Sequence, residues 1–435
     1  MALLHNMSDE CIKSELDLFS LPMTQTSIEK STYIEIPPLS ALTDGGPIEF
    51  FVSASSEDYI DLNNTYLHLR IKITNPDGTD LAPAAPVGLI NYPGCTLFSQ
   101  VDITLGDRLI TQSSNTYPYR GIIECLLNYG NGTLDTQFGC GLFQKDTHGH
   151  MDEILPGGLN LGLTTRSEYT GRSRIAELIS PIHVDMFFQE KLMINGVDLR
   201  MRFIRAKNDF CLMSDGAVEY RVSIVSANVF IKKVSVAPGV KLAHARALNQ
   251  ANVKYPVDRV CLKNVSIAAG SRICTQDNLF LGQIPKMVII GFVNNEAFTG
   301  SYARNPFRFQ HFGIEFLSLY CDGQAYPSKP FQPDFRNGLY TREYFQLIQA
   351  TGRQLKDREI AINHKEFGDG YALFCFNLEA DEGCGQHVSL VRAGNVRLEA
   401  RFRAALATTV NLICYAVYDS VIEISNRRQV LLDYY

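Results

Sequence analysis

Two short segments of the chain share one pattern of residues. Positions 195–203 read NGVDLRMRF and positions 394–402 read GNVRLEARF, with Val, Leu, Arg and Phe at matching places. Val197 and Val396 lie 199 positions apart (396 − 197), a little under half of the 435 residues. Solenoid repeats have periods of roughly 20–50 residues. The pattern therefore predicts one structural unit that is used twice.

Each copy has the pattern of a half-buried β-strand. Apolar residues alternate with charged ones directly after an Asn-Gly or Gly-Asn pair, which is typical of a strand that leaves a tight turn. A second strand-like run follows each copy, at 220–231 and at 412–424. We expect both halves of the chain to end in the same two strands.

The rest of the chain favours strands over helices. Apolar residues make up 46% and charged residues 20% of the chain, which is typical of a folded protein, and its length is that of two or three domains. Gly and Pro interrupt the chain often, and few segments keep a helical period. The clearest predicted helix is 119–129. We predict an all-β fold with short helical insertions.

Charge and cysteine content limit the partners and the compartment. The net charge is −6 and no basic tail is present, so direct nucleic-acid binding is not expected. No apolar run approaches the roughly 20 residues of a membrane helix, and residues 1–10 lack the pattern of a signal peptide. The 11 cysteines have no paired framework, which predicts reduced thiols in the cytosol or nucleus.

Residues 1–30 differ from the rest because they are not strand-like. Ser8 is a suitable N-cap for a helix over 9–19, and Pro22 would end it. Three apolar residues share one face of this predicted helix: Ile12, Leu16 and Phe19. Such a face is covered either by the protein's own body or by a neighbouring molecule, and the sequence leaves both readings open.

Three segments of the N-terminal part carry a resemblance to a known family. They read SELDLFSLPMTQTSIEK at 14–30, LTDGGPIEF at 42–50 and DYIDL at 58–62. In these residues the chain resembles the major capsid (hexon-like) proteins of Polinton/Maverick elements and of the related adintoviruses and adomaviruses. The resemblance is strongest over residues 1–130 and extends further by length and by the two-unit organisation.

The resemblance implies a double jelly roll, which is two tandem eight-stranded sandwiches in one chain. It also implies a structural major capsid protein whose homotrimers form pseudo-hexagonal capsomers of an icosahedral shell. Neighbouring capsomers, penton proteins and minor capsid proteins are then the expected partners. The expected location is the virion capsid, assembled in the host nucleus or cytoplasm.

On this basis we divide the chain into four parts. Residues 1–45 form an N-terminal arm, 46–237 the first jelly roll, 238–256 a connector and 257–435 the second jelly roll. The loop 134–172, rich in Gly, Thr and His, is expected to be a solvated insertion of the kind that forms outward towers in this architecture. The arm residues Ile12, Leu16 and Phe19 are the possible capsid contact.

One cluster in that loop has the residue types of a metal site. His148 and His150 lie one residue apart with Glu153 after them, similar to the His-x-His and Glu ligands of cupins, another jelly-roll family. The spacing differs from the cupin pattern, and Gly149 favours a loop. We therefore expect no metal and no other cofactor. The segment 384–387 is a weaker candidate because it lacks further ligands nearby.

The sequence has no G-x-S-x-G, H-E-x-x-H or Walker A pattern, which are motifs of hydrolases and nucleotide-binding enzymes. We therefore expect no enzymatic activity and no catalytic residues. Two alternatives to the capsid protein are a cupin-like jelly-roll metalloenzyme and a carbohydrate-binding jelly-roll module. Metal analysis of the purified protein tests the first alternative. Glycan binding by the region 134–172 tests the second.

Overall fold

The computed structural model describes residues 7–8, 11–43, 45–54, 57–381 and 387–433. In the first half of this described chain ten strands are present: β1 (Ile28–Ile36), β2 (Ile48–Val52), β3 (Tyr59–Thr74), β4 (Val87–Leu89), β5 (Phe98–Leu105), β6 (Arg108–Leu109), β7 (Ala176–Pro181), β8 (Leu199–Arg205), β9 (Leu212–Ser214) and β10 (Arg221–Val236). In the described residues of the second half nine more follow: β11 (Val253–Ile267), β12 (Ile273–Gln283), β13 (Met287–Asn294), β14 (Ile314–Cys321), β15 (Gln324–Phe331), β16 (Leu373–Asn377), β17 (Ala393–Phe402), β18 (Val410–Ile424) and β19 (Val430–Leu432).

Short helices lie between the strands. The same described ranges contain nine α-helices: α1 (Pro93–Thr96), α2 (Tyr117–Asn128), α3 (Asn131–Thr136), α4 (Leu161–Thr170), α5 (Asn208–Cys211), α6 (Pro238–Leu248), α7 (Asn295–Thr299), α8 (Thr341–Ala350) and α9 (His364–Gly368). Single 3-10 turns are also present: Ser14–Leu16, Phe138–Gly141, Gly171–Ser173, Asp185–Phe187 and Phe335–Asn337.

The strands form two pairs of antiparallel sheets. In the first half one sheet has the order β1-β10-β3-β7 and the other β2-β8-β5-β6, beside a separate β4-β9 pair. In the second half the orders are β11-β18-β13-β16, to which β19 adds, and β12-β17-β14-β15. Without β4 and β9 the first half has eight strands, and these can be matched in chain order with β11 to β18, so that β1 corresponds to β11 and β10 to β18. The strand orders of the two halves are then the same in both sheets. The prediction of two eight-stranded sandwiches is confirmed.

The repeated segment forms the same strand in both halves. β8 lies between β2 and β5, and β17 lies between β12 and β14. Alternate side chains of both copies are at most 3% exposed: Val197, Leu199, Met201, Phe203, Val396, Leu398, Ala400 and Phe402. The predicted half-buried strand is confirmed, because a two-residue period places one face of a strand on the core.

The predicted helix at 119–129 is present as α2, which lies between the two sandwiches. Eleven of its 12 residues are buried. On one side the Tyr119 ring stacks on Phe298 at 5.6 Å between centroids. On another side the Leu126 carbonyl accepts a hydrogen bond from Ala361 N at 2.8 Å. A helix that is buried on all sides is covered by more than one layer of structure, and here both halves cover it.

The predicted helix over 9–19 is wrong in the residues that the structure describes. From residue 11 to residue 27 only the turn Ser14–Leu16 is helical, and residues 9–10 lie outside the described ranges. The turn ends where the Asp17 carboxylate accepts a hydrogen bond from Ser20 N at 3.2 Å. Isolated helices of this length are marginal in water, and no packing surface supports this one.

The strand limits differ from the predicted unit limits. β1 lies inside the predicted arm (1–45) and pairs with β10, so the first sheet begins before residue 46. α6 lies in the predicted connector (238–256), but β11 also begins there, at Val253. Most residues of β1 are exposed, and only Ile34 and Ile36 are half-buried. The division into an arm and two jelly-roll units otherwise stays a prediction.

We expect Phe203→Ala to lower the free energy of unfolding by about 3–5 kcal/mol, because it leaves a cavity in place of a fully buried ring. That ring lies 5.1 Å from Phe98 and 5.8 Å from Phe50. Urea denaturation measures the effect. Arg202→Ala on the solvent face of the same strand, half exposed beside Glu49, is the control and should cost less than about 1 kcal/mol. Equal effects would contradict the placement of β8 in the core.

Candidate functional site

A group of buried charges lies where the two halves meet. On α2, Arg120 Nε lies 2.8 Å from Glu124 Oε1, one helical turn away. Arg120 Nη2 also lies 2.7 Å from Asp185 Oδ1 in the 3-10 turn after β7. On its other side, Glu124 Oε2 is 2.7 Å from His183 Nδ1. These four side chains form one buried ionic network in the first half.

The second half completes this network. Tyr415 OH on β18 donates a hydrogen bond to Glu124 Oε1 at 3.1 Å. Val260 N on β11 donates to Asp185 Oδ1 at 3.2 Å. Buried carboxylates are stable only when their oxygens are paired. The two carboxylates therefore tie the sandwiches together.

Burial and neighbouring cations set the charge of these groups. Burial opposes ionisation of Glu124, but Arg120 and His183 outweigh it and hold the pKa of that carboxyl below its usual value. At Asp185 burial outweighs Arg120, so the pKa of that carboxyl is raised. Burial and then Glu124 raise the pKa of Tyr415 far above its usual value, so the phenol stays a donor. This arrangement supports a structural role for the network, because its groups bond one another.

A cleft of about 790 Å³ lies beside the network, between α2 and the sheet β11-β18-β13-β16. Lys286 lines it, and its Nζ lies 2.9 Å from Asp419 Oδ1 and also contacts Asp258. Burial lowers the pKa of Lys286, but Asp258 and Asp419 outweigh it and raise the pKa, which keeps the ammonium charged. The named charges of the cleft are thus paired within the protein.

The prediction of a solvated loop at 134–172 is wrong where the segment is buried between the halves, and its outward position stays a prediction. This segment contains α4 and buries Arg166, whose Nη2 lies 2.6 Å from Asp146 Oδ1. From the second half, Asn305 Nδ2 donates to Asp146 Oδ2 at 3.0 Å, and Tyr371 OH donates to Asp146 O at 2.8 Å. The loop therefore joins the two halves. Its composition did not indicate this, because the partners come from distant positions.

The structure places the candidate metal ligands of this loop apart from any cluster. His150 Nδ1 lies 3.7 Å from Glu153 Oε2, and His148 is half-buried. Within the described ranges, no group of three or more His, Cys, Asp or Glu side chains is arranged to hold a metal ion. Residues 384–386 of the weaker candidate lie outside those ranges.

The ten cysteines that the structure describes are all free thiols, and Cys384 lies outside the described residues. Burial raises the pKa of Cys211 to about 12 and that of Cys321 to about 11. Such thiols stay protonated near neutral pH and react slowly as nucleophiles. Cys211 and Cys321 pack in the core.

The three arm residues predicted as a contact are exposed. Ile12 is 80%, Leu16 69% and Phe19 96% exposed. Further large apolar side chains of the arm are exposed as well: Met7, Leu18, Leu21 and Met23. They form an apolar segment of extended chain and not a helical face. Contiguous exposed apolar residues mark interaction sites in soluble proteins.

None of the helices in the described ranges is long and apolar enough to cross a membrane.

Sequence reasoning missed the residues of the junction. One signal was available, since Arg120 and Glu124 stand four positions apart in a predicted helix whose other residues are mostly apolar. Asp185 and Tyr415 carry no such local signal. They become partners only when the two halves meet.

Several known proteins share the architecture. No family model matches the chain. It is 23% identical over 433 residues to an uncharacterized protein of Caenorhabditis elegans, an alignment that covers 95% of this chain and 99% of that protein. A chain of the Sputnik virophage structure has a TM-score of 0.67 at 13% identity and covers 98% of this chain and 93% of its own. A chain of the PBCV-1 virus capsid has a TM-score of 0.60 at 12% identity and covers 96% of this chain and 99% of its own.

The mavirus major capsid protein gives a TM-score of 0.56 at 12% identity and covers 100% of this chain and 96% of its own. These neighbours of virophages and PBCV-1 are double jelly-roll major capsid proteins. This chain has the double jelly-roll fold. At such low identity the likeness establishes the fold, and the narrower group that the N-terminal residues resemble stays a prediction.

We expect Glu124→Gln to destabilise the protein at neutral pH by about 3–5 kcal/mol, because it removes one charge from a buried pair. Folding lowers the pKa of Glu124, so its contribution is complete above the unfolded pKa of about 4.3 and is lost as the pH falls through the folded pKa. The difference between the wild type and the variant should therefore shrink at acid pH. Urea denaturation at pH 7 and in steps down to about pH 3 measures it.

Glu49→Gln is the control for this prediction. It removes the partner of Arg202 from a pair in which both side chains are about half exposed, at 47% and 52%. Its cost should stay below about 1 kcal/mol. If Glu124→Gln were as stable as the wild type at pH 7, the junction would not depend on this network.

Proposed function

We propose that this protein is a structural major capsid protein whose homotrimers form pseudo-hexagonal capsomers of an icosahedral shell. The observation that carries the proposal is the equal strand order of the two sandwiches over the whole chain. Capsid proteins of virophages and PBCV-1 share this architecture over more than nine-tenths of both chains. We further propose that the protein is located in the virion capsid.

The repeat explains why three copies would assemble. Two similar units in one chain give six similar units around a threefold axis. Homo-oligomers usually close by rotational symmetry, and a six-fold outline packs into a near-hexagonal layer. Neighbouring capsomers, penton proteins and minor capsid proteins are the proposed partners, and assembly takes place in the host nucleus or cytoplasm. The N-terminal residues support placement in the Polinton, adintovirus and adomavirus group.

A non-enzymatic role agrees with the chemistry of the junction. The buried charges of Arg120, Glu124 and Asp185 are paired with one another, and Glu124 also accepts a hydrogen bond from the second half. No observation favours the cupin-like metalloenzyme or the carbohydrate-binding module. Stoichiometric transition metal in the purified protein would revive the first alternative.

We expect light scattering on a size-exclusion column to report three chains of 48.6 kDa per particle. The physical reason is that each chain exposes apolar segments outside the arm, such as the one around Leu390, that a single copy leaves uncovered. The measurement is made at micromolar concentration. A stable monomer under these conditions would contradict the trimeric capsomer.

We expect removal of residues 1–24 to leave trimers intact with nearly unchanged melting temperature and to weaken assembly beyond the trimer. The arm side chains are exposed, so they contribute little to folding, and an exposed apolar segment stabilises only the contact that buries it. The truncation ends before β1, which starts at Ile28. Melting curves and negative-stain images of assembled material measure the two properties.

Point variants sharpen this test. Leu16→Ser with Phe19→Ser should reproduce the truncation, whereas Lys13→Ser, an exposed polar position in the same segment, should not. Loss of soluble trimer on truncation would instead mean that the arm packs on its own sandwich.

A further inference from the structure

Within one chain, the first half covers a sheet of the second half. The outer face of β11-β18-β13-β16 faces α2 across the cleft, and Tyr415 OH donates a hydrogen bond to Glu124 Oε1 of α2 at 3.1 Å. The segment 185–194 covers the edge strand β11 of the same sheet. There Tyr255 OH donates to Leu192 O at 3.1 Å and accepts from Ile194 N at 2.9 Å. A helix and the loop before β8 together form this cover.

The matching sheet of the first half, β1-β10-β3-β7, has no such cover from the described chain. On β3 its outer face carries the half-buried Tyr66, the buried His68 and the exposed Arg70, which alternate with Leu67, Leu69 and Ile71 of the core. Across the strands Tyr66 pairs with Phe230, and His68 pairs with Ile179. On the edge strand β1 Tyr33 is 51% exposed, and on β7 Ile179 is 42% exposed. This face combines exposed apolar groups with a free strand edge.

The second half has the counterparts of the covering elements. α8 lies between β15 and β16 in the chain, as α2 lies between β6 and β7. The 199-residue offset of the repeat places 387–393 on 188–194, so Val391 corresponds to Leu192. Both counterparts therefore have the same places in the chain order of the second half as the covering elements have in the first.

α8 and the segment 387–393 are more exposed than the corresponding α2 and segment 188–194 of the first half. α2 buries 11 of its 12 residues, whereas α8 buries three of 10 and leaves Phe345 43% exposed. Leu192 is half-buried against Tyr255, whereas Val391 is 64% and the adjacent Leu390 92% exposed. In the described chain the second half thus has a helix and a loop that cover no sheet. The first half has a sheet, β1-β10-β3-β7, that no helix and loop cover in this way.

We propose that α8 and the segment 387–392 of one copy cover the outer face and the β1 edge of the sheet β1-β10-β3-β7 in a second copy. This inference rests on the proposed homotrimer and names the surfaces that would build it. The contact repeats between copies the interface that already joins the two halves inside each chain. Because the two surfaces differ, the contact is head-to-tail, and such a contact closes into a ring when the rotation allows it. The occupant is a second copy because this chain supplies both complementary surfaces.

The competing occupant of the sheet is the chain's own arm. Residues 11–27 run directly into β1 and are exposed along their length. A cross-link test separates the two. A photo-reactive amino acid is placed at position 390, and the protein is produced by joint expression of ¹⁴N- and ¹⁵N-labelled chains. Mixed isotope pairs then identify links between copies.

We expect links between copies from position 390 to peptides of β1 or β10. Links to residues 11–27, or to β1 of the same copy, would overturn the proposal. So would trimers that form without any link between copies at this sheet, and in that case the proposed capsomer would survive. A protein that stays monomeric by light scattering would remove the capsomer and this interface together.

Substitutions test the same contact without a cross-linking reaction. Leu390→Asp with Val391→Asp should raise the dissociation constant of the trimer at least about tenfold, because carboxylates buried without partners oppose association. The matched control is Ile273→Asp with Leu281→Asp on β12, whose side chains are 59% and 75% exposed and lie in the other sheet of the same sandwich. The control should leave the constant unchanged, and circular dichroism should show intact folding for both. Equal effects of the two pairs would contradict the interface.

Discussion

The relation between the two sandwiches depends on a small set of buried charges. Arg120 would be costly to bury alone, and so would the carboxylates Glu124 and Asp185. They are tolerated because each lies within 3 Å of an opposite charge and because the second half supplies donors from Tyr415 and Val260. A shift of one sandwich against the other would break the hydrogen bonds from Tyr415 and Val260 and leave these buried oxygens with fewer partners. The network therefore favours the one arrangement of the halves in which both donors reach these carboxylates.

A fixed arrangement of two similar units has a consequence for assembly. The interface inside the chain joins a helix and a loop of one sandwich to a sheet of the next. Since both sandwiches have the same strand order, each has its own version of both surfaces. One version of each is used within the chain, and the other remains exposed, as Leu390 and Tyr33 are. Under the proposed interface, such a chain is complementary to itself in a head-to-tail sense, and a contact of this kind closes into a ring when the rotation allows it.

Several elements could be predicted from the sequence because their signals are local. The segments 195–203 and 394–402 show a two-residue alternation, and both became central strands with one buried face. The helix α2 was expected from its apolar period and lies within two residues of its predicted limits. The arm helix failed, because Ile12, Leu16 and Phe19 have helical spacing but no surface to pack on. The edge strand β1 lies in the predicted arm, because the unit limit was placed at residue 46 although residues 33–36 alternate as in a strand.

The sequence by itself determined that the chain contains one strand-rich unit twice, since a repeated alternation reports which face of a strand meets a core. Only the tertiary structure decided how the units meet. Glu124 and Tyr415 are 291 positions apart, and Asp146 and Asn305 are 159 apart, so no local pattern marks them as partners. The loop 134–172 looked solvated for the same reason, because its polar residues find their partners in the other half. Pairing across such separations depends on the packing of two complete units, which is a property of the folded chain.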